Sequence, residues 1–255
     1  MEKNEKKRFV FLVCEILYRE ACYCVAMSRN VVDIAVLPKK LHNIGEAKMS
    51  AALQERIDSV DSEKYDAILL GYGLCNYGVR GLHHPILPLV IPKAHDCIAL
   101  LMGSKERYRE YFDDNPGTFF HSSGWIERDS ADNTDEESIS AILGINKTYE
   151  EYVEIYGEEN AEFLVGVLGD GLQNYRKIAY IDSGLGNMAC DYVFSMEYAR
   201  SRGWEFERIM GDNRLMQRLL DGEWRDCDFL VVPPGNVIEP SYNHEIVKII
   251  SITKP

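Results

Sequence analysis

The feature that most constrains this chain is alternation. Short apolar runs rich in Val, Ile, Leu and Phe recur with helical stretches between them. "RFVFLVCEIL" (8–17), "VVDIAVLP" (31–38), "YDAILLGYG" (65–73) and "ILPLVIP" (86–92) read as buried strands. "EAKMSAALQERIDSVDS" (46–62) sets Met49, Leu53, Ile57 and Val60 at helical spacing, and "CIALLMGSKERYREYFDDNPG" (97–117) reads as one further helix stopped by Pro116 and Gly117. The pattern resumes with strands over "KIAYID" (177–182), "WEFERI" (204–209) and "DFLVVPPG" (228–235), separated by helices over 187–203 and 213–224. Such alternation predicts an α/β fold of mostly parallel sheets. We expect two Rossmann-like lobes, residues 1–121 and 177–255, joined by an acidic helical connector over 122–176. The ligand cleft is expected at the carboxyl ends of the strands.

Charge narrows the function classes. With 28 basic and 41 acidic residues the net charge is −13, which repels phosphate backbones and anionic membrane surfaces. Nucleic-acid and membrane partners are therefore not expected; a small-molecule substrate is. No apolar run approaches the roughly 18–20 residues of a membrane span. The start, "MEKNEKKRF", lacks the pattern of a signal peptide, so a cytoplasmic location is expected. In a reducing compartment the seven cysteines would be free thiols or metal ligands.

Three of those cysteines fall where a parallel sheet gathers its ligands. Cys14 ends the first strand, Cys75 follows the third, and Cys97 follows the fourth in "PKAHDCIALLMGS" (92–104) with His95 and Asp96. Topology alone would aim these segments at one edge. A set of Cys14, Cys75 and Cys97 with His95 suits zinc, and an iron–sulfur cluster is the alternative, because both accept thiolate. His95, Asp96 and Glu15 are the candidate acid/base or orienting groups. The opposing reading is that each cysteine is a small core residue. Cys22 and Cys24 fit packing, and Cys190 and Cys227 fit structural roles. His42, in "KKLHN", follows a strand end too, although a loop histidine is commonly a surface residue. A cysteine hydrolase, with Cys75 as nucleophile and His95 as base, is less favoured because two more thiols would be redundant.

The second candidate is "YIDSGLGNMAC" (180–190), a strand, glycine turn and helix. Gly184, Gly186 and Ala189 fit G-x-G-x-x-G/A, which suits a dinucleotide pyrophosphate at a helix N-terminus, and Asp182 with the glycines fits D-x-G-x-G, the way many S-adenosylmethionine sites begin. In a more modest version Ser183 and the backbone N–H groups from Gly184 to Asn187 hold an anionic group. The same glycines also serve a plain tight turn.

Taken together, "CEIL" (14–17), "LGYGLCNYG" (70–78), "PKAHDCIALLMGSKERY" (92–108), "YIDSGLG" (180–186) and "FLVVPPG" (229–235) resemble the family known as domain of unknown function 1638. The resemblance runs from about residue 9 to 238. It implies no particular activity. Members of the family are frequent in anaerobic archaea and bacteria, often beside corrinoid-dependent methyltransferases. "HDC" at 95–97 is also similar to the His-x-Cys pair that holds zinc in thiol-methylating enzymes of corrinoid systems, which are built on a different fold. The resulting expectation is a zinc-binding protein that activates a thiol or water for methyl or one-carbon transfer, as a metal-dependent transferase. Its partner would be a corrinoid protein or methyltransferase, with the corrinoid coming from that partner. Two alternatives stand beside it: a non-catalytic accessory protein that binds or delivers a corrinoid, metal or iron–sulfur cofactor, and a nucleotide- or S-adenosylmethionine-dependent enzyme working through the glycine loop.

Overall fold

A computed structural model describes residues 6–131 and 174–251, together with residues 153, 154, 157, 158 and 160. The chain is a mixed α/β protein with two mostly parallel sheets flanked by helices. The first sheet contains β1 (Arg8–Cys14), β2 (Val31–Leu37), β3 (Ala67–Gly71), β4 (Leu89–Pro92) and β8 (Phe229–Val232), in the order β2-β1-β3-β4-β8. β1 to β4 run parallel, and β8 joins β4 antiparallel. β1 and β3 lie inside this sheet and are covered on both faces, which is why their sequences are continuous apolar runs without alternation.

The second sheet is the parallel set β5-β6-β7, made of β5 (Thr118–Ser122), β6 (Lys177–Asp182) and β7 (Glu205–Met210). A hairpin of β9 (Asn236–Pro240) and β10 (Val247–Ser251) follows. The helices are α1 (Tyr18–Met27), α2 (Glu46–Asp58), α3 (Cys97–Met102), α4 (Lys105–Asp114), α5 (Ser123–Ala131), α6 (Met188–Ser201) and α7 (Arg214–Asp221). Among the described residues no helix is long and apolar enough to cross a membrane.

Two details differ from the sequence expectation. The helix expected over 97–117 is two helices, because Gly103 adopts a left-handed φ of 75° and Ser104 starts a new helix by accepting from the Arg107 N–H at 3.2 Å. Strand membership also crosses the expected lobe boundaries. β5 begins inside residues 1–121 but pairs with β6, and β8 lies beyond residue 177 but completes the first sheet. The reason lies in α7, whose buried Leu215, Met216, Leu219 and Leu220 cover the first sheet's side and pack on α1. A chain leaving α7 there meets the open edge of β4 directly, and a return without a crossover pairs antiparallel. Most of the expected connector lies outside the described residues.

The two sheets are locked by close backbone approaches. The Asp212 N–H donates to the Leu101 carbonyl at 2.8 Å, and a Cβ on Gly124 would sit 1.8 Å from the Ile16 carbonyl oxygen. Gly124→Ala should therefore destabilise the protein by about 3 kcal/mol, the upper part of the overpacking range, as read by urea denaturation. An unchanged midpoint would show that α5 does not dock where the backbone places it.

Candidate functional site

The carboxyl edge of the first sheet carries the thiols. Cys14 is the last residue of β1, and the Ile16 N–H donates to its sulfur. Beyond β3 the chain makes a turn in which Cys75, Asn76 and Tyr77 all have left-handed φ angles of 41°, 53° and 65°. Three consecutive non-glycine residues in this region are strained, and such strain concentrates at functional sites. The turn closes with Gly78 N–H to the Cys75 carbonyl at 3.0 Å, while Cys75 N–H donates to the His95 carbonyl at 2.9 Å. That second bond lays Cys75 beside the start of α3, where Cys97 is the first helical residue. The approach is so close that a Cβ on Gly73 would lie 2.6 Å from the Asp96 nitrogen.

All three thiols are buried and near enough for charge on one to raise the pKa of another. Burial pushes Cys14 up to about 12 and raises Cys75 and Cys97 as well. They are thus neutral thiols in the metal-free chain. Trp125 of α5, from the other sheet, hydrogen-bonds to the Cys97 thiol. His42 Nε2 stands 3.4 Å from Cys14 Sγ, and its ring stacks on Tyr72 with centroids 6.3 Å apart. Burial lowers the His42 pKa and keeps the imidazole neutral. The Tyr72 hydroxyl, on a residue only 1% exposed, has no hydrogen-bond partner among the described residues, and charge on Cys14 or Cys75 would raise its pKa.

The expected acid/base residues are placed differently from one another. The His95 side chain is exposed. Asp96 is the N-cap of α3, accepting from Ile98 and Ala99 N–H at 2.9 and 3.3 Å and from the Tyr108 hydroxyl at 3.1 Å. Burial raises its pKa against those bonds. Glu15 accepts from the Lys39 N–H at 2.6 Å and lies 3.7 Å from Arg128. Asp96 and Glu15 therefore brace the loops that carry the thiols. Cys24 is buried as expected, whereas Cys190 and Cys227 are exposed, because the outer faces of α6 and of the loop before β8 are uncovered.

In kind, three thiols and an imidazole suit a soft metal, and the Tyr72 hydroxyl beside them lacks, among the described residues, the partner that a buried polar atom ordinarily has. In placement, no group of three His, Cys, Asp or Glu side chains among the described residues is set to hold a metal ion as it stands. His42, Tyr72 and Trp125 were not singled out as site residues by sequence reasoning. The only trace of His42 was its position after a strand end.

The glycine loop turns toward the first lobe. Ser183 Oγ donates to Glu20 Oε1 at 2.5 Å, and the Gly184 N–H donates to Asp182 Oδ1 at 2.8 Å. A Cβ on Gly186 would come 3.1 Å from Arg19. Asn187 precedes α6 without capping it through its side chain. Two of the donors expected for an anionic ligand are thus already engaged by carboxylates. A separate concavity of about 680 Å³ lies between α3, α4 and α7, where Arg214 is paired with Asp212 and Arg218 with Asp228.

Comparison with known proteins finds one family. The sequence model of a family described as "Protein of unknown function (DUF1638)" matches residues 36–220. No curated protein and no solved structure matches.

Burial has a measurable consequence at this site. A thiol whose folded pKa exceeds its unfolded value of 9.0 contributes stability that is complete below pH 9 and is lost as pH rises toward about 12. Metal-free protein should therefore weaken steadily in urea above pH 9, and Cys14→Ala should flatten that decline. At pH 7.5 iodoacetamide should label Cys190 well before Cys14, Cys75 or Cys97, as read by mass spectrometry; early labelling of Cys14 would contradict its burial.

Proposed function

The chain belongs to the family of proteins of unknown function DUF1638, and from that premise we propose that it is a thiol-rich metal-binding protein, with zinc as the metal and methyl or one-carbon transfer as the reaction class. One observation carries the reading: three chain segments bring Cys14, Cys75 and Cys97 to the carboxyl edge of one parallel sheet, beside His42 and a Tyr72 hydroxyl without a partner among the described residues. When bound, zinc would lower the pKa of a coordinated thiol or water and so supply a nucleophile near neutral pH.

The chain's own residues would prepare that chemistry. The three thiols must turn toward a common point and release their protons, which burial opposes in the metal-free state. His42, neutral and against Cys14, is placed to take a proton or to serve as the fourth donor. The Trp125 indole N–H and the Ile16 N–H each donate to a sulfur and would stabilise thiolate there. The backbone of Cys75 is held by its strained turn and by the bond from its N–H to the His95 carbonyl, so the side chain can turn about a fixed Cα. The methyl-transfer part of the reading rests on the family's association with corrinoid systems, and a corrinoid-carrying partner protein would supply the group.

The test is elemental analysis with an optical spectrum on protein purified without oxygen, wild type beside Cys97→Ser and His42→Ala. The expected result is about one zinc per chain, mostly lost in Cys97→Ser and weakened about 10–100-fold in affinity in His42→Ala. Iron with broad visible absorption would keep the ligands and replace the metal with a cluster. Metal that is absent, or that is retained in Cys97→Ser, would overturn the proposal.

A further inference from the structure

Tyr72 is the first residue beyond β3, on the edge that carries the thiols. Its backbone is clamped from both directions. Upstream, β3 is paired between β1 and β4. Downstream, the N–H groups of Leu74 and Cys75 bond to the carbonyls of Ala94 and His95, and Gly73 lies against the Asp96 backbone. The phenol is therefore fixed in the interior, where its hydroxyl has no hydrogen-bond partner among the described residues. A buried hydroxyl in that state has lost its water and gained nothing in exchange, and such groups are rare enough in folded proteins to need a reason. For packing alone a phenylalanine would serve, without the cost of the orphaned oxygen.

The surroundings point to one acceptor. The Tyr72 ring stacks on His42, and the same imidazole stands 3.4 Å from Cys14 Sγ. After burial itself, charge on Cys14 is the largest influence on the phenol, ahead of charge on Cys75. The Cys14 sulfur is thus close to the hydroxyl, yet it does not accept from it in the metal-free chain. A neutral thiol is a weak acceptor, whereas an anionic sulfur draws a strong, charge-assisted bond. Burial raises the pKa of the phenol, so it keeps its proton and is suited to donate to a sulfur and not to bind a metal as phenolate.

We propose that Tyr72 is a positioning residue whose hydroxyl is reserved for the metal-bound sulfur of Cys14, to which it donates once the thiols have turned toward a common point. This role rests on the metal-binding reading above and adds a built-in bias to it. The hydroxyl destabilises the metal-free chain, where it is orphaned, and stabilises the loaded one, where it gains an anionic acceptor. Those two effects have opposite signs. A hydroxyl with a purely structural partner would strengthen the metal-free chain, and an idle one would leave metal affinity alone.

The experiment compares the full chain, reduced and metal-free, with its Tyr72→Phe variant, which keeps the ring and its stacking on His42. Urea denaturation of the two metal-free proteins should give the variant the higher midpoint. Cobalt(II) titration should show the variant binding roughly tenfold more weakly, the scale of a lost hydrogen bond to a metal ligand. Its sulfur-to-cobalt charge-transfer band should move to lower energy, because a thiolate relieved of a hydrogen bond gives up charge to the metal more readily. A lower urea midpoint, or a variant that fails to fold, would show that the hydroxyl already has a partner and would overturn the proposal. Cobalt affinity and band energy equal to those of wild type would overturn it too, with the metal-binding reading left standing. Wild-type protein that takes up no cobalt would overturn both.

Discussion

The site depends on a left-handed turn. Cys75, Asn76 and Tyr77 occupy a backbone region that costs an L-residue roughly 1–2 kcal/mol each. What offsets that cost is local and specific: the Gly78 N–H closes the turn on Cys75, and the N–H groups of Leu74 and Cys75 bond to the carbonyls of Ala94 and His95. Val79 and Leu82, fully buried just beyond, anchor the exit. The effect is to pin the loop after β3 onto the start of α3, which sets Cys75 against Cys97. Without the turn the chain would still form its sheet, but two of the three thiols would part.

Burial then fixes the chemical state of those thiols. A parallel sheet edge covered by α3, by the 3-10 turn at Lys39–Asn43 and by Trp125 has little water to solvate a thiolate. The neighbouring acids do not help, because charge on Asp96 raises both Cys75 and Cys97. A thiol set kept neutral in this way is inert until a strong Lewis acid or a positive charge arrives. That inertness is consistent with a resting state awaiting a metal and poorly suited to a free cysteine nucleophile. The second sheet takes part through Trp125, which is why docking of α5 on the turn at Ile16 bears on the site and not only on stability.

The sequence made the architecture legible because β1 and β3 are buried on both faces and so leave continuous apolar runs. It made the thiol edge legible for the same reason, since the ends of those runs mark the carboxyl edge. It did not reveal that β8 returns to the first sheet, because strand direction depends on where α7 docks and no local residue records that. Nor did it reveal that His42 stands beside Cys14 while the His95 side chain is exposed: both follow strand ends, and the 3-10 turn before α2 is what carries the His42 ring inward. The glycine loop shows a related limit. Its spacing reads as a phosphate site, while the carboxylates that engage its Ser183 hydroxyl and its Gly184 N–H come from Glu20, far away in sequence, and from Asp182 at the end of the strand.

The central claim is that Cys14, Cys75 and Cys97 can serve one centre. The most direct measurement is titration of the reduced, metal-free protein with cobalt(II), followed by absorption spectroscopy. The account predicts sulfur-to-cobalt charge-transfer bands in the near ultraviolet that saturate at about one equivalent, with the visible bands of a tetrahedral ion. A spectrum that stays that of hydrated cobalt throughout would contradict it, and the three thiols would then be core residues of an α/β fold.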